Sequence, residues 1–308
     1  MTTYTLNRAM TRRGLIFVVL AGMFWGTSGV ATKTLYSLVP VSPITVAAYR
    51  LVLGAPLLLL AYRWIGGSNS FRVTRGDLAL LLLVGAALGT SQACYFSAIA
   101  RVGVAIATLV TICTAPVLVG LLASALLRER VTLAMTGALA CALIGTALLV
   151  GVDPRTGTAP GSANVAGLLF AMAAATNFAV FILGSRLLAR RYHPLQSITM
   201  AVAIGGALLL IVSIVATGAR VAYPWPAWAL FLYLGLVPTA LGYGLFYYGV
   251  QHATAAEASI ASLAEPLTGT VLAMLLFGEQ LSPLGWVGAL LLIGVLVFLV
   301  RNGSSRSE

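Results

Sequence analysis

The sequence predicts an all-α membrane protein of ten transmembrane helices in two inverted five-helix repeats. Composition, apolar runs and an internal repeat predict it. Apolar residues make up 60% of the 308 residues and charged residues only 8%, whereas a soluble domain carries about 25% charged residues. The net charge of +11 does not indicate nucleic-acid binding, because the basic residues fall between apolar runs, as in membrane proteins.

Ten apolar runs are long enough to cross a bilayer. Because unpaired backbone cannot face lipid, we expect each run to be a helix, and continuous apolar runs do not fit the alternation of a membrane barrel. The first run follows Arg12 and Arg13 but is expected to be an uncleaved span, since nine more follow. The runs are 14–37, 43–62, 77–98, 102–127, 131–151, 164–186, 195–217, 226–250, 254–277 and 283–300.

The arginines predict the orientation. With the N-terminus inside, thirteen of them lie on the cytoplasmic side and only Arg101, Arg155 and Arg220 lie outside. Such a bias favours cytoplasmic N- and C-termini. We therefore expect a multi-pass protein of the bacterial inner membrane.

The two halves of the sequence resemble each other. Gly-Leu-Ile-Phe at 14–17 matches Gly-Leu-Leu-Phe at 167–170, a shift of 153 residues, and a later shift of 150 residues places Pro116 on Pro266. Each half therefore holds five spans. Five is odd, so the second copy inserts upside down, which is an arrangement typical of transporters with a mid-membrane site. The predicted repeats are residues 14–151 and 164–300.

Glu265 is the one carboxylate that the sequence places deep in a span. It follows the start of its run by about eleven residues, or ~16 Å, which is near the middle of a ~30 Å hydrocarbon layer. A carboxylate there is costly and is by default functional. Ser262 lies on nearly the same helix face. These groups fit either a polar solute site or a helix–helix contact.

Arg50 is the natural partner for Glu265. It lies about seven residues below the outer end of the second span, or ~10 Å deep, from where it could instead reach the interface. Pairing would relieve both buried charges, so we expect the two to lie close, as a coupling site or a structural ion pair. Pro116 and Pro266 are expected to kink equivalent helices that share a mechanical role.

Polar and aromatic residues within other spans complete the predicted substrate site. Mid-membrane Trp25 can line a cavity with its apolar face and its N–H, and the Asn177 amide needs a partner in hydrocarbon. Each of these residues fits bulk packing as well, and the tyrosines fit packing better. The predicted substrate-binding residues are Trp25, Gln92, Tyr95, Asn177, Tyr243 and Ser262.

The sequence predicts neither a metal site nor a cofactor. His193 and His252 fall in loops without Asp or Cys at ligand spacing, and Cys94, Cys113 and Cys141 fit apolar packing. An intramembrane enzyme is disfavoured, because it would need a nucleophile with a base or a metal cluster.

The pattern resembles the EamA-type, ten-helix branch of the drug/metabolite transporter superfamily. The motifs that carry the resemblance are Trp25-Gly26, Ala-Ala-Tyr-Arg-Leu ending at Leu51, Ala115-Pro116, Leu-Ala-Glu-Pro ending at Pro266, and Phe-Gly-Glu-Gln-Leu from Phe277. Within that branch the chain is most similar to YddG-type amino-acid exporters, although it carries Asn177 and Phe178 where those often have Trp.

The resemblance implies a secondary transporter that exports neutral or aromatic amino acids by alternating access. The alternative within the same class is an exporter of another small metabolite or drug. The expected partners are a small-molecule substrate and the lipid bilayer, with no nucleic acid, and the chain is expected to be a monomer or homodimer.

Overall fold

The computed structural model confirms the all-helical fold class. It describes residues 2–65, 73–126, 133–150, 165–217, 222–277 and 282–302. Glu129 and Glu279, which the 150-residue shift superimposes, lie outside these ranges. The helices are α1 (Thr2–Leu38), α2 (Pro43–Ile65), α3 (Arg75–Leu126), α4 (Leu133–Val150), α5 (Val165–Ala189), α6 (Pro194–Thr217), α7 (Trp225–Leu234), a π-helical segment (Gly235–Leu241), α8 (Gly242–Val250), α9 (Ala255–Ala261), α10 (Ala264–Phe277) and α11 (Pro283–Asn302).

Ten apolar helical stretches in the described residues correspond to the ten predicted spans. Eight helical stretches in the described residues are long and apolar enough to span a bilayer, and the stretches 110–126 and 136–149 are shorter apolar helices. The predicted eighth and ninth spans are each interrupted, the eighth by the π-helical segment and the ninth between α9 and α10.

The helix α3 contains two predicted spans and reverses direction between them. Ser91 Oγ donates to Ala174 O at 2.9 Å, and Thr111 Oγ1 donates to Ala171 O at 3.3 Å. Ala171 and Ala174 lie within one turn of α5, whereas a straight helix would separate Ser91 from Thr111 by ~30 Å. The chain must therefore turn back between Ser91 and Thr111.

Arg101 marks the place of the reversal. Its guanidinium carbon lies 4.6 Å from the ring centroid of Phe170, close to the start of α5, and a side chain on Gly167 would collide with Val102. This position agrees with the predicted division between spans 77–98 and 102–127.

Each repeat packs its first helix against the third and fourth spans of the other repeat. Thus α1 packs on α8 and α10, and α5 packs on both arms of α3. The last helices of the two repeats, α4 and α11, pack on each other, where Gly145 and Gly288 allow close approach. This exchange of neighbours gives the two halves a continuous interface.

The two first helices run in opposite directions. Gly14, near the start of the spanning stretch Met10–Leu38 of α1, lies against Gly249 at the end of α8. Arg186, near the end of α5, donates from Nη1 to Val250 O at 2.6 Å. The beginning of the first span and the end of α5 therefore share one end of the bundle, as an inverted repeat requires.

Candidate functional site at the broken ninth span

The candidate site is built around a helix break at mid-depth. A capping box starts α9, because Thr254 Oγ1 accepts from Glu257 N and a Glu257 carboxylate oxygen accepts from Thr254 N. The α-helix stops at Ala261 and resumes at Ala264. Ser262 ends α9 at about eight residues, or ~12 Å, from that cap.

Pro266 stabilises this break from within the first turn of α10. A proline in a first turn removes no intrahelical hydrogen bond, whereas in a continuous helix its ring would clash with the carbonyl of Ser262. Glu265 N instead donates to Ser262 O at 3.0 Å. The Ser262 hydroxyl donates to Ser259 O at 2.7 Å. This hydrogen bond satisfies a backbone carbonyl in the last turn of α9.

The helix α1 approaches the break closely. A Cβ atom on Gly26 would stand 2.5 Å from Glu265 O, and one on Gly22 would stand 2.9 Å from Ser262 O. Real Cβ atoms do not come so near, so only glycine permits this packing. The contact brings the adjoining Trp25 to the level of the break.

Glu265 lies in the first turn of α10 and faces the interior. Its side chain is partly accessible although it lies deep in the bundle. The positive end of the α10 dipole favours its charge. Arg50, Tyr243 and Glu265 lie within electrostatic range of one another, so the structure places the predicted pair in one neighbourhood.

Arg50 is held by the π-helical segment. Its Nε donates to Thr239 Oγ1 at 3.3 Å, and Thr239 Oγ1 donates to Leu234 O at 2.7 Å. The arginine is 6% exposed and therefore depends on interior partners. Single π turns inside α-helices are frequent at functional sites, and here the irregular turn presents a hydroxyl to a buried cation.

Trp25 belongs to an aromatic cluster beside these charges. Its ring centroid lies 5.1 Å from Tyr243, 5.3 Å from Phe246 and 6.1 Å from Phe178. Its Nε1 is buried and donates to none of the described residues, and a Cβ on Gly242 would stand 2.9 Å from it. In this conformation Trp25 contributes its ring rather than a hydrogen bond.

Three other predicted site residues lie on α3 and α5, two helices that pack against each other. Gln92 and Tyr95 are half-buried on the first arm of α3. Asn177 Nδ2 donates to Ala173 O at 2.8 Å within α5, so its amide finds its partner in its own helix. The structure thus groups Trp25 and Tyr243 with the charged pair, whereas Gln92, Tyr95 and Asn177 lie on α3 and α5.

Pro116 differs from its predicted equivalent. It lies inside α3, and the helix continues through it. Of these two prolines, only Pro266 lies beside an interruption of its helix.

Phe178 and Thr239 were not among the predicted site residues. The 153-residue shift of the first repeat match places Trp25 on residue 178, so the sequence contained a signal for Phe178 that Asn177 obscured. Thr239 follows Pro238 in the π-helical turn, but a proline alone does not indicate which neighbouring hydroxyl accepts from a buried cation. Among the described residues, no group of three or more His, Cys, Asp or Glu side chains could hold a metal ion.

Comparison with known protein families decides the class of this fold. The model of the EamA-like transporter family matches residues 12–151 and again residues 165–301. The chain belongs to the EamA-like transporter family. The two matches divide this EamA-like chain at the same point as its internal repeat.

Relatives extend over nearly the whole EamA-like chain. It is 32% identical to the uncharacterized transporter YwfM of Bacillus subtilis over 291 residues, 92% of each chain. It is 28% identical to the uncharacterized inner membrane transporter YicL of Salmonella typhimurium, over 97% of this chain and 98% of that protein.

Two further likenesses are more limited. The chain is 30% identical to a probable terminal-alkyne amino-acid exporter of Streptantibioticus cattleyicolor, over 64% of this chain and 65% of that one. A solved crystal structure matches with a TM-score of 0.77 over 94% of this chain and 97% of that chain. At 23% identity, that structure supports the fold alone.

Proposed function

We propose that this chain is a secondary transporter that exports neutral or aromatic amino acids by alternating access, with the substrate bound between the two repeats. The observation that carries the proposal is the position of Arg50, Tyr243 and Glu265 beside the break between α9 and α10. Broken helices near the midplane form substrate sites in transporters built from inverted repeats.

The substrate class is supported by the site and by one relative. The aromatic cluster of Trp25, Phe178 and Tyr243 offers an apolar wall next to groups of both charges, which suits an amino acid with an apolar side chain. A relative named as a probable amino-acid exporter is similar over about two thirds of the chain. The YddG-type resemblance points to the same class.

The proposed location is the bacterial inner membrane, with both termini in the cytoplasm. The arginine bias supports this orientation, and the relative YicL is named an inner membrane transporter. In this orientation α1 begins at the cytoplasmic surface. Arg50 then lies closer to the outer surface than the break does.

Counterflow in proteoliposomes tests the proposal. Vesicles loaded with one unlabelled amino acid are diluted into a trace of the same labelled compound, across a panel of neutral and aromatic amino acids. We expect labelled uptake for at least one of them, and a loss of at least about tenfold in Glu265→Gln, equivalent to about 1.4 kcal/mol. Glu257→Gln is the matched control, because glutamine can also complete a capping box.

Three outcomes discriminate between the alternatives. Uptake that survives in Glu265→Gln contradicts the proposed site. Uptake of no amino acid by folded protein, together with counterflow of another metabolite or drug, favours the alternative exporter. Release of the active amino acid from intact overproducing cells, with no accumulation inside them, supports the export direction.

A further inference from the structure

Arg50 and Glu265 are opposite charges in one interior region that the fold leaves with unused bonding capacity. Among the described residues, Arg50 donates one hydrogen bond, from Nε to Thr239 Oγ1, and the side chain of Glu265 accepts none. Both Nη groups of Arg50 are thus available. Charges at this depth are costly unless they are paired and hydrogen-bonded.

We propose that Arg50 and Glu265 bind the two charged groups of a zwitterionic substrate, with its carboxylate at Arg50 and its ammonium at Glu265. The inference rests on the proposed function and specifies which part of the substrate each residue recognises. A guanidinium binds a carboxylate through two parallel N–H bonds. A carboxylate in turn accepts hydrogen bonds from an ammonium group. One bound α-amino acid therefore pairs the buried charges of both residues.

Tyr243 defines the direction in which the rest of the substrate points. It lies within electrostatic range of both Arg50 and Glu265, and its ring centroid is 5.1 Å from that of Trp25. A substrate whose head group bridges the charges therefore directs its side chain toward Trp25. The charged pair selects for a zwitterion, and the aromatic wall selects among side chains.

The arrangement also suits the movement of the substrate. Arg50 is on α2, in the first repeat, whereas Glu265 is on α10, in the second. A zwitterion bound by both residues forms a non-covalent bridge between the repeats. Its arrival and departure therefore change the interaction between the two bodies that alternating access moves against each other.

Head-group analogues test the inference on the purified full-length protein. For the amino acid that is most active in counterflow, binding is measured for the zwitterion, for the amine that lacks the carboxylate and for the acid that lacks the amine. For phenylalanine these probes are phenylalanine, phenethylamine and 3-phenylpropionate. We expect the zwitterion to bind at least about 30-fold more tightly than either analogue, since each analogue loses a charge-assisted contact.

Two variants give a crossed pattern that a structural ion pair would not give. Arg50→Gln should lower zwitterion affinity to that of the amine while leaving amine binding within about twofold. Glu265→Gln should lower the affinity for the zwitterion to the affinity for the acid, while acid binding stays within about twofold of that of the unmodified protein. Arg50→Lys should restore part of the preference for the carboxylate.

The possible results separate this inference from the proposed function. Equal binding of the three probes by the unmodified protein overturns the inference even if neither variant folds, and amino-acid counterflow can still succeed in that case. Equal losses for all three probes in both folded variants assign the pair a structural role. Failure of every amino acid in counterflow overturns the proposed function.

Discussion

The fourth span of each repeat contains a proline at an equivalent position, but the two spans differ in backbone and in polarity. Around Pro266 the helix is interrupted, whereas α3 continues through Pro116. The 150-residue shift places Ser262 on Ile112 and Glu265 on Ala115. One copy therefore supplies an apolar packing helix, and the other supplies the polar break.

The helices that pack against these spans differ in the same way. Gly22 and Gly26 of α1 approach the break, and the 153-residue shift places them on Ala175 and Ala179 of α5, both fully buried. The helix that faces the continuous span carries the methyl groups that would collide at the broken one. The two repeats thus differ both in the fourth span and in the helix that packs on it, and both differences occur at the candidate site.

The largest effect is expected where α1 contacts the break. Gly26→Ala places a Cβ 2.5 Å from Glu265 O, so the backbone of the site must move. Counterflow should fall by about 100-fold, equivalent to about 2.7 kcal/mol. Gly29→Ala is the matched control, because a Cβ there meets no atom within 4 Å. Equal effects of the two changes would contradict the close packing.

Replacement of Trp25 separates its ring from its N–H. Trp25→Ala removes the ring that contacts three aromatic neighbours and should lower counterflow by about 30-fold, equivalent to about 2 kcal/mol. Trp25→Phe should stay within about threefold, because it keeps a ring and removes an N–H without a partner among the described residues. A larger loss in Trp25→Phe than in Trp25→Ala would contradict this interpretation.

The two prolines test the difference between the spans directly. Pro266→Ala allows α9 and α10 to join into one helix, because the clash with the Ser262 carbonyl disappears. Counterflow should fall by about tenfold relative to the unmodified protein, equivalent to about 1.4 kcal/mol. Pro116→Ala should leave it within about twofold, since the helix already continues through Pro116. Similar losses in both variants would indicate equivalent mechanical roles for the prolines.

The smallest effect is expected for Asn177. Its amide bonds to Ala173 O in the same helix, and the alanine variant loses one neutral hydrogen bond of about 1 kcal/mol. Counterflow by Asn177→Ala should remain within about twofold of the unmodified protein. A loss as large as that of Trp25→Ala would place Asn177 in direct contact with the substrate.

Much of the architecture could be predicted from the sequence, because the bilayer imposes strong local rules. Apolar length predicts the spans, and an odd number of spans in each copy predicts the inversion. Glu265 was singled out because a carboxylate inside an apolar run is costly wherever that helix packs. Arg50 was singled out for the same reason.

The remainder depends on tertiary contacts that no local pattern encodes. The π-helical turn that places Thr239 beside Arg50 contains Pro238, but a proline in a span does not by itself distinguish a π-helical turn from a simple kink. Whether Asn177 or Phe178 is the counterpart of Trp25 depends on one residue of register, and the ring contact between Phe178 and Trp25 supports Phe178 as that counterpart. The prolines looked equivalent in sequence, because a proline in a helix interior and one in a first turn differ only in the chain before them.

Access to the break from water tests the central claim most directly. All three native cysteines are replaced by serine, and Ser262→Cys is compared with Ile112→Cys, its equivalent in the continuous span, in membranes treated with a membrane-impermeant thiol reagent. The account predicts labelling of the cysteine at position 262, protection by the transported amino acid, and much slower labelling at position 112. Labelling at position 112 alone, or none at position 262 while an engineered loop cysteine reacts, would contradict a polar site at this break.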